Sequence, residues 1–309
     1  MIMIRSASVI VPSLGRTDRL RECLGGILRQ NIDVPFEMIV VLDGPEAERS
    51  VNSLKASYGD DRRIKFNTSH ARRGSPAAKN VGAAEASGDV LVFLDDDTIP
   101  TDGWLRAILD GYTDGVVGVG GSEEKTTRSG SIRRIWHKLW GDVTGSVTRG
   151  GLVISNFTPL KSANEKVDCL AGANMSFLRG DFEHAGGFDT NYRGTSYREE
   201  TDLCLRIGGK SNLVFVPRAK VIHHEEERGG NTPESVREWN YWYHRNNTYF
   251  FLKNLGGSKA IWIWHQLLEV ALSVGRTLQQ RSMTPLTTFR EGTRIGKSAY
   301  AEYKRSLGT

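Results

Sequence analysis

Three consecutive carboxylates, Asp95, Asp96 and Asp97, follow directly after the apolar run "VLVFL". Mg²⁺ and Mn²⁺ prefer carboxylate oxygens and commonly keep coordination positions open for substrate phosphates. A buried strand that ends in such a cluster could therefore hold a divalent cation against a phosphate group. Taken alone, an acidic triplet before "TIP" is equally compatible with a solvated turn. The surrounding sequence has to decide between the two.

Two further polar groups stand where apolar runs end. Asp43 closes "FEMIVVLD" and precedes Gly44, a placement suited to a ribose hydroxyl or a base edge, and also to an ordinary turn. The segment "RRGSPAAKN", residues 72–80, puts cationic side chains around a helix start, where backbone N–H groups can meet a diphosphate. Taken alone, this segment fits a solvated basic loop equally well.

The order of the surrounding elements predicts where these groups meet. Between residues 7 and 121, short β-branched runs alternate with amphipathic stretches. This predicts an α/β fold with a doubly wound, mostly parallel sheet and helices on both faces. Because ligands bind beyond the carboxyl ends of such strands, residues 12–15, 43, 68–75 and 95–97 should face one crevice. Ser75 followed by Pro76 predicts the cap and first position of a helix.

The second half of the chain changes character twice. Residues 123–160 are rich in Gly, Ser, Thr and Arg, include Trp136 and Trp140, and are predicted to form a mobile segment that lines the crevice. Apolar patterning from residue 167 predicts further strands, joined by a short helix over 199–207. After residue 230 the chain is helical and aromatic. We therefore divide it into residues 1–122, residues 123–230 of the same domain, and a C-terminal helical extension over 231–309.

The C-terminal extension leaves two interpretations open. Lys259 and Arg276 flank apolar residues at helical spacing, namely Trp262, Trp264, Leu267, Leu268 and Ala271. Such a helix could lie on a membrane interface, near a lipid-linked or surface-polysaccharide acceptor. It could equally pack on the catalytic domain or on a second subunit of a homo-oligomer.

Composition sets the class of protein. The 309 residues, 39% hydrophobic and 25% charged, are typical of a globular protein with a substantial core. The net charge of +5 suits anionic partners such as nucleotide phosphates or a membrane surface, and does not require nucleic acid.

Cys23, Cys169 and Cys204 are too widely spaced for a zinc or disulfide framework, which indicates the cytoplasm. The N-terminal "MIMIRSASVIVPS" is predicted to be a first strand rather than a signal peptide, and no apolar run reaches the ~20 residues of a membrane span.

Two nucleotide-binding fingerprints are absent from the sequence. No G-x-G-x-x-G follows the first apolar run, and no Walker-type phosphate loop occurs. The chain instead resembles the family 2 glycosyltransferases, which have the GT-A fold. The resemblance covers about residues 7–224 and rests on an ordered set of motifs: "VIVPSLGR", "VVLDG", "RRGSPAAKNVG", "VLVFLDDD", "GGFD", "YREETDLCLRI" and "PRAKVIHH".

The resemblance implies which residues bind the donor, a nucleotide-diphosphate sugar. The set is Pro12, Ser13, Arg16, Asp43, Arg73, Lys79, Asp95 and Asp96. Asp43 would bind the base or ribose, and Lys79 takes the place where the family usually has Arg, keeping the charge without the bidentate fork. Residues 1–122 would form the nucleotide-sugar-binding part, and residues 123–230 the part that binds the acceptor and supplies the base.

The resemblance also implies a metal site and a catalytic base. Asp95 and Asp97 match the ends of a D-x-D element, and His223 matches a metal-binding histidine, with His224 as the alternative. Asp95, Asp97 and His223 would therefore hold Mn²⁺ or Mg²⁺. Glu200 aligns with the carboxylate that deprotonates the acceptor hydroxyl in inverting members. Because Glu replaces the commoner Asp there, Glu199 and Asp202 remain alternative bases, and Asp202 could instead orient the helix.

The expected function is metal-dependent, inverting transfer of a sugar to a glycan or lipid-linked acceptor, in the cytoplasm or at the inner face of the cell membrane. Two alternatives stay open. A sugar nucleotidyltransferase would need a Gly-rich basic loop after the first strand, which "VPSLGRTDR" supplies only weakly. A noncatalytic carbohydrate- or metal-binding module would share the architecture but would not need the acids.

Overall fold

The computed structural model describes residues 3–59, 61–126, 141, 143–224 and 235–308. Within these residues, eleven strands form: β1 (Ala7–Ser13), β2 (Phe36–Asp43), β3 (Ile64–Ser69), β4 (Val90–Leu94), β5 (Thr98–Pro100), β6 (Gly118–Lys125), β7 (Ser146–Val147), β8 (Val153–Ile154), β9 (Glu165–Lys166), β10 (Asn174–Leu178) and β11 (Leu213–His223). Strands β7 and β8 pair as a separate hairpin, and the others form one sheet.

The large sheet is mixed but mostly parallel, which confirms the predicted fold class. Its order is β3-β2-β1-β4-β10-β6-β11-β5, with β9 on β11. Strands β1 to β4 are mutually parallel where they pair, and β6 is parallel to β11. Strand β10 lies antiparallel between β4 and β6. The carboxyl ends of β1, β2 and β4 therefore meet at one edge, as the alternation of elements predicted.

Helices cover both faces of this sheet and continue into the C-terminal extension. They are α1 (Thr17–Leu28), α2 (Ala47–Tyr58), α3 (Ser75–Glu85), α4 (Trp104–Asp110), α5 (Arg179–His184), α6 (Glu199–Ile207), α7 (Val236–Phe250), α8 (Lys259–Gln280) and α9 (Thr284–Ser306). A π-helical turn over Phe251–Leu255 extends α7. The helical C-terminal extension is thus confirmed in the described residues.

Strand alternation divides the core into two layers. Val9 and Val11 of β1 pack into the layer that α1, α2 and α4 cover, whereas Ile10 packs into the layer of α3, α5 and α6. Successive side chains of a strand point to opposite faces, so a strand covered on both faces must be apolar throughout. This explains the continuous run "VLVFL" in β4, whose five residues are all buried.

Helix α3 lies unusually close to the sheet and begins at the edge where the strands end. A Cβ at Gly82 would overlap Ile10 and would lie 3.2 Å from Val41 Cγ2, so a glycine is required for this approach. Ser75 is the first helical residue and not the cap that the sequence predicted, because Gly74, with φ of 85°, precedes the helix. The Ser75 hydroxyl instead donates to Glu199 Oε1 at 2.8 Å.

Candidate functional site

A cavity of about 1030 Å³ opens where the carboxyl ends of β1, β2 and β4 meet. One wall comes from the strand ends and the loop before α3: Pro12, Ser13, Leu14, Arg16, Asp43, Arg72, Arg73, Gly74, Ser75, Ala78, Asp95, Asp96 and Asp97. The opposite wall comes from the loop before α6 and from the start of α7: Thr190, Tyr192, Arg193, Gly194, Thr195, Ser196, Tyr197, Glu238 and Trp239. One wall of the cavity therefore carries acidic and basic side chains, and the opposite wall carries aromatic and polar side chains.

Asp96 holds the loop between β1 and α1. Its buried carboxylate accepts hydrogen bonds from the Ser13 hydroxyl, at 2.5 Å, and from the Arg16 guanidinium. The same guanidinium lies 3.2 Å from Asp97 Oδ2. Asp96 thus fixes Arg16 at the cavity wall, and Arg16 offsets part of the negative charge of the acidic triplet.

Asp97 and His223 are in direct contact at the end of β11. Asp97 Oδ1 lies 3.4 Å from His223 Nε2, and Glu123 Oε2 lies 3.4 Å from the other ring nitrogen. Desolvation disfavours the imidazolium ion, but the hydrogen bonds with Asp97 and Glu123 raise the pKa of His223 to about 10. The ring therefore carries a proton at neutral pH, between two carboxylates.

The acids fit the chemistry of a hard divalent cation in the type of their ligand atoms. Carboxylates and an imidazole are ligands of Mn²⁺ and Mg²⁺ sites, and Asp95 and Asp97 line the cavity. Across the described ranges, no three His, Cys, Asp or Glu side chains are grouped in a geometry that would hold a metal ion.

Lys79 lies behind the acidic triplet and is almost completely buried. Its ammonium group donates to Glu199 Oε1 at 2.9 Å and lies 4.0 Å from Asp95 Oδ1. Glu199 accepts from Ser75 with the same oxygen, while its buried Oε2 has no hydrogen-bond partner among the described residues. Lys79 on α3 therefore forms ion pairs with the end of β4 and with α6. It does not line the cavity itself.

Asp43 holds the loop before α3 in place. It accepts from the backbone N–H of Arg73 at 3.0 Å and from Arg73 Nε at 3.0 Å. Both residues face the cavity, together with Arg72. The end of β2 and the basic loop are thus brought together as the sequence pattern predicted.

Glu200 is the second residue of α6, behind the lining of the cavity, and follows a strained stretch of backbone. Ser196 and Arg198 have φ of 53° and 79°, a region that non-glycine residues rarely occupy. Glu200 Oε1 accepts from the Thr201 hydroxyl at 3.0 Å, and its side chain faces Gly172, where a Cβ would lie 3.6 Å from Glu200 Cγ. Burial, and then the neighbouring charge of Glu199, raise the pKa of Glu200 above its usual range.

Asp202 has a different environment and, like Glu200, does not line the cavity. It is fully buried and accepts from Arg206 Nε at 2.9 Å, Asn254 Nδ2 at 2.8 Å and Tyr192 Oη at 3.2 Å, with Lys253 Nζ at 2.9 Å. These contacts join α6 to the end of the α7 segment. They correspond to the orienting role that the sequence left open for Asp202.

The sequence did not identify the aromatic wall of the cavity. Tyr197 packs against Tyr243 with ring centroids 4.7 Å apart and a tilt of 37°, and Trp239 stacks on Tyr243 at 5.4 Å. The run "EWNYWYH" gave a signal of aromatic clustering at the start of α7, but nothing in it indicated which ring faces the site.

The expectation that residues 123–160 line the crevice is wrong for the part that the structure describes. Its described residues belong to the end of β6, to the β7–β8 hairpin and to the connections around them, and none lines the cavity. The loop over 190–197 and the start of α7 line the cavity instead. Trp136 and Trp140 lie outside the described residues.

Comparison with known proteins identifies the class. The family model of glycosyl transferase family 2 matches residues 8–186, so the chain belongs to this family and is a glycosyltransferase. It is 25% identical over 226 residues to the glucosyl-dolichyl phosphate glucuronosyltransferase of Haloferax volcanii, covering 71% of this chain and 68% of that protein. The predictions of family and enzyme class are confirmed.

Solved structures share the fold at low sequence identity. The mannosyltransferase PcManGT from Pyrobaculum calidifontis, in complex with GDP-Man and Mn²⁺, superposes with a TM-score of 0.57 at 17% identity, over 99% of this chain and 88% of that one. TarS of S. aureus, in complex with UDP-GlcNAc, gives a TM-score of 0.61 at 14% identity, over 96% and 81%. These likenesses confirm the GT-A fold.

Proposed function

We propose that this chain transfers a sugar, with inversion, from a nucleotide-diphosphate sugar to a hydroxyl of a glycan or lipid-linked acceptor, in the synthesis of a cell-surface polysaccharide or glycoconjugate. The observation that carries the proposal is the cavity of about 1030 Å³, where Asp43, Asp95, Asp97 and basic side chains face an aromatic wall. Its volume suits a nucleotide sugar with room for an acceptor. The name of the Haloferax volcanii relative, which includes a dolichyl phosphate, supports a lipid-linked acceptor.

The donor would occupy the wall formed by the strand ends. Asp43 and Pro12 would border the base and ribose, with Arg73 held by Asp43 so that its charge faces the diphosphate. Ser13, Arg16 and Asp96 form one hydrogen-bonded unit that would present Arg16 to the donor. Lys79 would act from behind, because its ammonium group compensates Asp95 and Glu199 without entering the cavity.

Asp95, Asp97 and His223 would hold the divalent cation. A bound Mn²⁺ or Mg²⁺ would supply positive charge to the departing nucleoside diphosphate. For His223 to act as a ligand, its imidazole must first lose the proton that Asp97 and Glu123 stabilise. Arg16, 3.2 Å from Asp97, compensates part of the charge of the same carboxylate.

Glu200 is the proposed general base. It would take the proton of the acceptor hydroxyl as this oxygen attacks the anomeric carbon from the face opposite the leaving group. Glu199 is less suited because Lys79 and Ser75 already occupy one of its oxygens, and Asp202 is less suited because its carboxylate is enclosed by partners. Tyr197 and Trp239 would offer faces for the acceptor sugar, with Arg193 beside them for a phosphate.

Donor binding gives the most direct test. We expect one sugar nucleotide from a panel of UDP-, GDP- and dTDP-sugars to raise Tm in the presence of Mn²⁺, since a ligand at 100 times its Kd stabilises by about 2.7 kcal/mol. Asp97→Asn should lose this shift, whereas the exposed Asp33→Asn control should keep it. Slow, Mn²⁺-dependent release of nucleoside diphosphate would separate a transferase from a noncatalytic binding module. If no sugar nucleotide shifts Tm with either cation, the proposed donor is wrong.

A further inference from the structure

Helix α8 exposes apolar side chains and buries polar ones, which is the reverse of an ordinary surface helix. Its outward face carries large apolar side chains that are between 39% and 73% exposed: Ile263, Trp264, Leu267, Val270, Val274 and Leu278. Its inward face carries His265, Glu269 and Ser273, which are all buried. A helix that packs on a soluble domain normally buries its apolar face and exposes its polar one. The outward face of α8, called here the apolar stripe, is therefore available to a partner outside the described fold.

The polar inward face is held by specific contacts, so the orientation of α8 is fixed. His265 Nδ1 lies 2.9 Å from the carbonyl oxygen of Gly150 in the β7–β8 hairpin, and its ring stacks on Phe251 with centroids 3.9 Å apart. Glu269 Oε1 accepts from the Tyr243 hydroxyl at 3.4 Å. Rotating the helix to bury the apolar stripe would break these contacts and expose the Phe251 ring.

The net charge of the chain is concentrated in the same part of the sequence as this stripe. Residues 259–306, which form α8, α9 and their connection, contain eight Lys and Arg and three Glu, an excess of five positive charges. The whole chain has a net charge of +5, so the rest of the molecule is formally neutral. Lys259 and Arg281 are exposed at the two ends of α8, and Lys297 lies over the Trp262 ring, 4.8 Å from its centroid.

The stripe suits a bilayer surface better than a second copy of this chain. Between residues 263 and 278 it spans about 23 Å, and a helix face about 10 Å wide gives an area of about 230 Å². A stable protein interface buries about 800 Å² on each partner. A second copy would also bring the same positive excess against itself, whereas anionic lipid headgroups complement it.

We propose that α8 lies in the plane of a membrane interface, with the apolar stripe inserted among the lipids and the basic side chains of α8 and α9 on anionic headgroups. An apolar face bearing Trp and Leu with basic flanks is typical of such interfacial helices. None of the helices in the described ranges has the length and apolar character that a membrane crossing needs. The proposal deepens the proposed function and rests on it only where it implies that the acceptor is lipid-linked.

Vesicle flotation tests this surface on the full-length protein. We expect binding to vesicles of phosphatidylcholine with phosphatidylglycerol, weaker binding to phosphatidylcholine alone, and weakening of the anionic component by salt. Leu267→Glu and Val274→Glu should each lower the partition coefficient by about tenfold or more, because each removes inserted apolar surface and adds a negative charge. Leu160→Glu is the matched control, since Leu160 is 78% exposed outside α8, and it should bind like the wild type.

Two outcomes would overturn the proposal. One is wild-type protein that stays unbound with anionic vesicles at low salt. The other is a stable dimer, measured by light scattering, that Leu267→Glu dissociates while vesicle binding stays unchanged, since the stripe would then be a contact between two copies. Neither measurement contains donor or acceptor, so both leave the proposed transfer reaction standing. Circular dichroism and Tm of each variant would show that the exposed substitutions preserve the fold.

Discussion

Glu199, Glu200 and Asp202 lie within four residues of each other at the start of α6, but their surroundings give them different chemistry. Glu199 is paired with the buried Lys79, and Asp202 is enclosed by Arg206, Lys253 and polar partners. Glu200 accepts a hydrogen bond from the neutral Thr201 hydroxyl, and burial raises the pKa of Glu200. A carboxylate whose ionised form is poorly compensated is the better proton acceptor of the three.

Glu200→Gln should therefore lower kcat by about 10²–10⁴-fold, the usual contribution of a positioned general base. The amide keeps the shape of the side chain but cannot take a proton, so the Tm shift by the donor should persist. Steady-state transfer assays would measure the rate, with the exposed Glu183→Gln of α5 as the control that keeps full activity. Full activity of Glu200→Gln would exclude Glu200 as the base.

The residues at the strand ends could be predicted, but their pairing could not. Strand ends of a parallel sheet share an edge, so the positions of Asp43 and Asp95 followed from the alternation of elements alone. The packing of the finished elements decides that Asp96 binds Arg16. It also decides that Lys79 binds Glu199, which lies 120 positions further along the chain. No local pattern encodes such a contact, and Tyr197 and Trp239 escaped notice for the same reason.

At the scale of elements, the close packing of α3 on β1 positions both Ser75 and Lys79 for contact with α6. Gly82→Ala should destabilise the protein by about 1–3 kcal/mol, because its Cβ would overlap Ile10 in a filled core. Gly180→Ala on α5 is the matched control, since its Cβ would meet no atom of the described residues within 4 Å. Urea unfolding would measure both variants. Equal stability of the two would mean that α3 can shift away from the sheet at no cost.

The first half of the sheet is tied together by one carboxylate, Glu37 on β2. It accepts from Ser8 of β1 at 2.8 Å and from the Ser87 hydroxyl before β4 at 2.6 Å, and it pairs with Lys65 of β3 at 2.6 Å. Burial by itself would raise the pKa of Glu37, but the hydrogen bonds from Lys65, Ser87 and Ser8 lower it from 4.5 to about 2.

This lowered pKa predicts a specific dependence of stability on pH. Because the folded pKa lies below the unfolded one, ionised Glu37 stabilises the protein above pH 4.5, and this contribution is lost as the pH falls towards 2. Solvent screening at the half-exposed Lys65 limits the contribution to about 1 kcal/mol. Glu37→Gln should remove that part of the acid dependence, as measured by urea unfolding at several pH values. The exposed Glu48→Gln should leave it in place. An unchanged acid dependence in Glu37→Gln would contradict the assignment.

The limits of sequence prediction differ from element to element. The bounds of β1 and α6 agree with the predicted runs, because continuous apolar patterning and a charged amphipathic pattern mark them clearly. The antiparallel insertion of β10 between β4 and β6 was not predictable, since a fully buried strand has the same pattern in either direction. The weak apolar content of residues 123–160 likewise hid the short β7–β8 hairpin.

At the scale of the whole molecule, α7 contacts both the cavity and the basic C-terminal unit, which consists of α8 and α9. The start of α7 supplies Glu238 and Trp239 to the cavity, while its later turns pack tightly on α9, where a Cβ at Gly292 would lie 2.6 Å from His244 Cβ. The formally neutral catalytic part thus joins a unit that carries all of the net charge. The contacts of α7 would therefore hold the aromatic wall of the cavity at a constant distance from a membrane to which α8 is bound.

This arrangement predicts that α8 affects the reaction only when the acceptor is presented in a bilayer. Leu267→Glu should lower kcat/KM by about tenfold or more for a long-chain lipid-linked acceptor in anionic vesicles, since it removes the enzyme from the surface where this substrate is concentrated. With a water-soluble, short-chain analogue the same variant should keep kcat/KM within about twofold of the wild type, because Leu267 does not line the cavity. Leu160→Glu should match the wild type with both acceptors. An equal loss with the soluble and the vesicle-bound acceptor would mean that α8 supports the active site itself, and that the apolar stripe has no separate role in reaching the acceptor.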